Sequence, residues 1–261
     1  MNGAPSLHPD ARAARPLAVV TGGARRVGRA ICLALARSGC DIVLTYLSSE
    51  ADARATASDI ESLGVCARIE RLDLDDLPAA LGFAGSLAGA APRIDVLVHN
   101  ASIYAPTPLK EVSAEEAQRH YRVNALAPLL MTRSLADRLS QSTLAGGGAV
   151  VAMCDIHTMD RPRRGHAAYS LSKAALAQMV QTLALELAPG VRVNGVAPGV
   201  VAFPERGPES DPEMRRRYLA RVPLARSGTA EEAAEAVRWL ALDAAYTTGH
   251  ILRIDGGRSL T

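Results

Sequence analysis

Lysine is nearly missing from this chain. Of 29 basic residues only Lys110 and Lys173 are lysines, and the rest are arginines. A position that merely needed positive charge would here be arginine, so a lysine asks for a chemical reason. Aromatics make up only 3% of the residues, which makes any ring placed near a ligand-binding turn informative. The four cysteines, Cys32, Cys40, Cys66 and Cys154, lie in apolar segments without C-x-x-C spacing. That pattern excludes a disulfide frame and a metal cage, and it predicts small buried thiols in a reducing cytoplasm. No apolar run approaches the roughly 18 residues of a membrane span. The net charge of +2 gives no electrostatic basis for nucleic-acid binding. Residues Met1 to Pro16 have no apolar h-region and are predicted to be a disordered tail, not a signal peptide.

What is present is a regular alternation. The 261 residues, 48% hydrophobic and 21% charged, suit one large domain with a full core. Apolar runs predict strands at 17–21, 41–46, 65–73, 94–100, 149–154, 191–197 and 251–254. Between them, helical patterns run over 26–38 and 49–63, each closed by a glycine (Gly39, Gly64). Ser113-Ala-Glu-Glu116 and Thr229-Ala-Glu-Glu232 are capping-box signatures that open helices. Further helices are predicted over 124–140 and 167–188. Continuous apolar strands alternating with helices imply a doubly wound, seven-stranded parallel sheet covered on both faces. One irregular insertion, Val200 to Met214, carries Pro204, Pro208 and Pro212. It follows the sixth strand, where loops line the ligand crevice of such sheets, and is a lid candidate or a plain surface loop.

Thr21-Gly22-Gly23-Ala24-Arg25-Arg26-Val27-Gly28 joins the first strand to the first helix. Glycines there let backbone N–H groups approach a pyrophosphate, whose charge the helix N-terminus favours. A carboxylate at the end of the second strand would bond the ribose 2′-hydroxyl of NAD. The chain instead reads Tyr46-Leu47-Ser48-Ser49. Arg25 and Arg26 are placed to pair with a 2′-phosphate, with Ser48 and Ser49 as donors, so NADPH is the expected cofactor. Tyr169 and Lys173 stand four apart on a predicted helix and share a face. An ammonium beside a phenol favours the phenolate and lowers its pKa toward neutrality, which suits acid–base work.

With these pieces the chain resembles the short-chain dehydrogenase/reductase family from about residue 17 to 261. The motifs are the glycine turn, Asp73-Leu74, Asn100-Ala101, Asn124, the Tyr169/Lys173 pair, Pro198-Gly199 and Asp255-Gly256-Gly257. The resemblance implies that Asp73 and Leu74 meet the adenine and that Asn100 and Ala101 contact the ribose region. It implies that Lys173 holds the nicotinamide ribose and that Asn124 helps a water chain resupply the proton Tyr169 gives. Gly22, Val27, Gly28, Tyr46, Tyr169, Pro198, Gly199 and Val200 complete the expected cofactor contacts. A homotetramer built on the helices after Asn124 and Ala167 is implied too.

Two departures from the family pattern narrow the reading. Arg26 replaces the middle glycine of the turn, and Asp155 stands near the end of the fifth strand where the family usually has serine. Serine would donate to an oxygen turning into an alkoxide, whereas a carboxylate would repel it. A carboxylate does suit a nitrogen heterocycle, whose imine nitrogens are protonated as hydride adds to carbon. Both departures resemble the pteridine and dihydromonapterin reductases, as does His99-Asn-Ala-Ser-Ile-Tyr-Ala-Pro-Thr-Pro-Leu109. In that subgroup the serine, here Ser102, touches cofactor and substrate, and the aromatic, here Tyr104, stacks on the pterin. Phe203 is a further expected substrate contact. Asp155 otherwise serves as a helix cap, and Asp160 is a rival in a charged loop. The expected activity is NADPH-dependent pterin reduction with Asp155, Tyr169, Lys173 and Asn124 as the catalytic set. The alternatives are a carbonyl reductase of the 3-oxoacyl or sugar-alcohol type, and a non-catalytic NADP(H) sensor.

Overall fold

The computed structural model describes residues 15–158, 162–201, 203 and 211–261. The predicted tail, Asp160, Pro204 and Pro208 therefore lie outside the described residues, apart from Arg15 and Pro16 of the tail. Seven strands form one parallel sheet: β1 (Leu17–Val20), β2 (Asp41–Tyr46), β3 (Ala67–Arg71), β4 (Val96–His99), β5 (Gly148–Met153), β6 (Val191–Pro198) and β7 (Ile251–Ile254). Their order is β3-β2-β1-β4-β5-β6-β7. Because β1 pairs with both β2 and β4, the winding reverses beside it. A crevice opens at that reversal, outside the carboxyl ends of the strands.

Period-two alternation splits the core into two layers. Val19, Val43, Leu97 and Val150 face one side with Leu135, Leu139 and Val180. Val20, Leu44, Val98 and Val151 face the other with Ile31, Leu35 and Val237. Each such buried side chain contributes about 1.5–3 kcal/mol. The covering helices are α1 (Arg26–Arg37), α2 (Glu50–Ser62), α3 (Leu77–Ala90), α4 (Ala114–Tyr121), α5 (Ala127–Ser140), α6 (Ala167–Glu186), α7 (Pro212–Leu219) and α8 (Ala230–Arg238). Both capping boxes form: Ser113 Oγ accepts from Glu116 N at 3.1 Å, and Thr229 Oγ1 accepts from Glu232 N at 3.1 Å.

The structure corrects the sequence reading at several points. Helix α3 has no counterpart in the predicted elements. Its Pro78, Gly82, Gly85 and Gly89 read as breakers, yet Asp76 caps its start by accepting from Ala79 N at 3.0 Å. Helix α7 begins inside the predicted insertion, with Pro212 in its first turn and Asp211 as its cap. The helices at 114 and 127 are not separate: a π-helical turn, Arg122–Leu126, joins α4 to α5. Cys32, Cys40 and Cys154 are buried as expected, but Cys66 is exposed just before β3, an edge strand. Among the described residues no helix is long and apolar enough to cross a membrane.

Candidate active site

The glycine turn is held by the backbone. Gly22 N donates to Thr45 Oγ1 at 3.2 Å and Gly23 N to Thr45 O at 2.9 Å. Asn100, just past β4, donates through Nδ2 to Thr21 O and Gly22 O, both at 3.0 Å. A methyl group at Gly28 would lie 2.0 Å from Gly22 O, so only glycine lets α1 begin so close to the turn. Arg26 adopts φ +53, the left-handed region that costs a side-chain-bearing residue roughly 1–2 kcal/mol. The family pattern has glycine at this position, so the chain accepts strain to put a guanidinium there.

This turn forms one wall of a cleft of about 490 Å³. Gly22, Arg25, Arg26, Val27 and Gly28 line it from the turn, Tyr46 from the end of β2, and Ser48 and Ser49 from just beyond it. Asp73 and Leu74 follow β3, and Asn100, Ala101 and Ser102 follow β4. The structure thus gathers into one cleft thirteen of the residues expected at the cofactor, drawn from four strand ends. Arg25 and Arg26 are exposed, and the segment after β2 presents no carboxylate to the cleft. Tyr169, Lys173, Pro198, Gly199 and Val200 do not line it, although Val201 does. Val200 N instead donates to the Tyr218 hydroxyl at 3.3 Å. Arg119, which the sequence reading missed, also lines the cleft, and its Nε donates to Asp75 Oδ2 at 3.2 Å.

Asn124 connects this cleft to α6. Its Oδ1 accepts from Ser102 Oγ at 3.1 Å and Ile103 N at 2.9 Å. Its Nδ2 donates to Ile103 O and to Ser172 Oγ on α6, each at 3.0 Å. The residue sits in the π-helical turn, where the altered spacing is often found at functional sites.

On α6, Tyr169 is 7% exposed and Lys173 is 4% exposed. The Tyr169 hydroxyl donates to Asp155 Oδ2 at 2.6 Å. Asp155 Oδ1 accepts from His157 N at 2.7 Å, and its carbonyl accepts from Thr158 Oγ1 at 2.8 Å. The carboxylate thus both caps the short turn at 156–158 and meets the phenol. Lys173 Nζ donates to Met153 O at 2.6 Å.

The Tyr169 shift runs opposite to the direction expected from Lys173. Burial, followed by the Asp155 charge and the hydrogen bond to it, raises the phenol well above its ordinary pKa of 10.0. These effects favour the phenol form of Tyr169. Burial lowers the Lys173 pKa. The sequence spacing located the pair correctly but could not reveal the carboxylate, which arrives from β5.

Tyr104 packs edge-on against Tyr169, with ring centroids 4.8 Å apart. Two contacts set this geometry: Thr107 N donates to Gly165 O at 2.7 Å, and Ala168 N donates to Thr107 Oγ1 at 3.1 Å. The Tyr104 ring is 43% exposed. His166 stacks on it at 5.0 Å and the Arg163 guanidinium lies 5.5 Å from its centroid. Neither neighbour was singled out in the sequence. Phe203 packs its edge on Tyr218 at 6.0 Å and makes none of these contacts with Tyr104 or Tyr169.

The family model described as enoyl-(acyl carrier protein) reductase matches residues 22–259. The chain belongs to the short-chain dehydrogenase/reductase family. It is 33% identical to the uncharacterized oxidoreductase YohF of Escherichia coli (strain K12), over 92% of this chain and 94% of the relative. It is 33% identical to pteridine reductase 1 of Leishmania tarentolae, over 94% and 97%. Among solved structures, acetoin dehydrogenase from Enterobacter cloacae superposes with a TM-score of 0.83 at 32% identity, covering 95% of this chain and 97% of that one. This short-chain oxidoreductase uses a nicotinamide cofactor, and the cleft at the glycine turn fits one. It combines a helix N-terminus, a backbone that approaches closely, and exposed arginines at its mouth.

Proposed function

We propose that this short-chain oxidoreductase reduces a pterin with NADPH. The observation that carries the reading is the 2.6 Å hydrogen bond from Tyr169 to Asp155. It places a carboxylate where an ordinary ketone reductase needs a neutral donor. Gly22, Val27 and Gly28 would hold the pyrophosphate, Arg25, Arg26, Ser48 and Ser49 a 2′-phosphate, and Asp73 and Leu74 the adenine. Asn100, Ala101, Ser102 and Lys173 would hold the nicotinamide side. NADPH, when bound, supplies a hydride to a ring carbon.

The chain's own groups manage the proton. Tyr169 keeps its proton because burial and Asp155 disfavour the phenolate. A heterocycle nitrogen arriving beside the phenol takes that proton as hydride adds to the ring carbon, and the phenolate left behind is reprotonated from solvent by way of Asp155 and the Asn124 side of the site. The same carboxylate would oppose a developing alkoxide. Tyr104 stands 4.8 Å from Tyr169, so a flat ring laid on it would meet the phenol at its edge. We also propose a homotetramer built on α5 and α6. The latter exposes Leu171 and Leu185 at 72% and 83%.

A carbonyl reductase is the second reading, favoured by the likeness to acetoin dehydrogenase. NADPH consumption measured side by side on dihydrobiopterin, dihydromonapterin, dihydrofolate, acetoin and a 3-oxoacyl thioester separates the two. Turnover confined to the pterins is the expected result, and turnover confined to the carbonyl compounds contradicts it.

A further inference from the structure

Beside the tyrosine end lies a second pocket, of about 590 Å³, into which four arginines converge: Arg163, Arg164, Arg221 and Arg258, with His157 and Ser259. No carboxylate side chain is among its described lining residues. Arg258 is 6% exposed, with its guanidinium 5.4 Å from the Tyr218 ring centroid. One Nη donates to Thr261 O at 2.9 Å, and the buried Nε has no hydrogen-bond partner among the described residues. A cation buried with donors unspent is costly, and like charges gathered in one concavity raise its potential for anions. Arg163 and His157 make further contacts of their own, so the weight falls on Arg164, Arg221 and Arg258.

The pocket is next to the reacting groups. Arg163 lies 5.5 Å from the Tyr104 ring, and His157 N binds the Asp155 carboxylate. A substrate reaching Tyr104 would therefore lie within reach of guanidinium groups. Their planar forks match carboxylate and phosphate oxygens.

We propose that this pocket receives an anionic tail on the substrate, so that the preferred pterin carries a carboxylate or phosphate group remote from its ring. The inference rests on the pterin reading and specifies which pterins serve it. Arg164 and Arg221 are exposed, so Arg164→Ala with Arg221→Ala tests it without opening the core; thermal melting verifies the fold. The assay compares kcat/KM for dihydrofolate, for a dihydropterin with a phosphorylated side chain, and for uncharged dihydrobiopterin.

The wild type should prefer an anionic substrate. In the double variant the ratio of anionic to uncharged kcat/KM should fall roughly tenfold or more, the effect of losing a charge-assisted hydrogen bond. Added salt should erode the same ratio in the wild type more than in the variant. The larger fall identifies the tail as carboxylate or phosphate. Pterin turnover with an unchanged ratio overturns the anionic-tail site and leaves the pterin reading standing. If no dihydropterin is consumed, the pterin reading fails and the tail site falls with it.

Discussion

At the end of β1 the chain holds its turn with backbone groups: Gly22 and Gly23 donate to Thr45, and Asn100 returns two bonds to the turn. At the end of β5 the arrangement comes from side chains of separate segments. Asp155 from the strand end, Tyr169 and Lys173 from α6 and Tyr104 from the loop after β4 meet there. The first region is held through the backbone groups of one turn and tolerates few residue types, because a methyl group at Gly28 would overlap Gly22 O. The second depends on tertiary register and accommodates a carboxylate in a position the family usually gives to serine. Backbone geometry makes the turn end a generic cradle, whereas the tyrosine end can be re-specified by one side chain.

Removing the phenol should separate the two regions most strongly. Tyr169→Phe should lower kcat on a dihydropterin by about 10²–10⁴-fold, as expected for loss of a general acid, while NADPH affinity measured by fluorescence titration changes little. A parallel loss of NADPH affinity would show that the two ends are one unit.

That contrast also explains what was legible in the sequence. The glycine turn, the strand ends and the capping boxes are local patterns, so their residues could be named, and the cleft gathers thirteen of them. Helix α3 was hidden because Gly82, Gly85 and Gly89 remove the periodicity that marks a helix. The ionisation of Tyr169 was misread because Lys173 is a neighbour in sequence while Asp155 is a neighbour only in the fold. His166, Arg163 and Arg258 were missed for the same reason. Each meets an aromatic ring distant along the chain.

At the turn end, Arg25→Ala with Arg26→Ala should weaken NADPH by about 1.5–3 kcal/mol per lost charge-assisted bond and leave NADH nearly untouched. Equal losses for both cofactors, read by titration, would move these arginines away from the 2′-phosphate. At the tyrosine end, Tyr104→Ala should raise KM for the pterin by the equivalent of about 1–3 kcal/mol of stacking, with Tyr104→Phe nearly silent. A large loss in Tyr104→Phe would show that the hydroxyl is what matters.

His99 offers the smallest effect, on stability. It closes β4 between the two ends, with Nε2 2.7 Å from Thr132 Oγ1. Burial lowers its pKa from 6.5 to about 3. The unfolded chain therefore takes up a proton below pH 6.5 that the folded protein refuses until about pH 3, and stability is lost as pH falls across that window. In His99→Asn the melting temperature should decline less steeply with acid than in the wild type. An identical slope would place the acid sensitivity elsewhere.

If Asp155 makes the tyrosine end a site for nitrogen heterocycles, as proposed, its replacement should tell on such a substrate first. The most direct measurement is NADPH oxidation by Asp155→Ser on dihydrobiopterin and on a 3-oxoacyl thioester, each set against the wild type. A loss of about 10²–10⁴-fold on the pterin is expected, with equal or higher activity on the thioester as the donor to an alkoxide is restored. Pterin turnover left intact by Asp155→Ser would contradict it, because the carboxylate would then have no part in moving the proton.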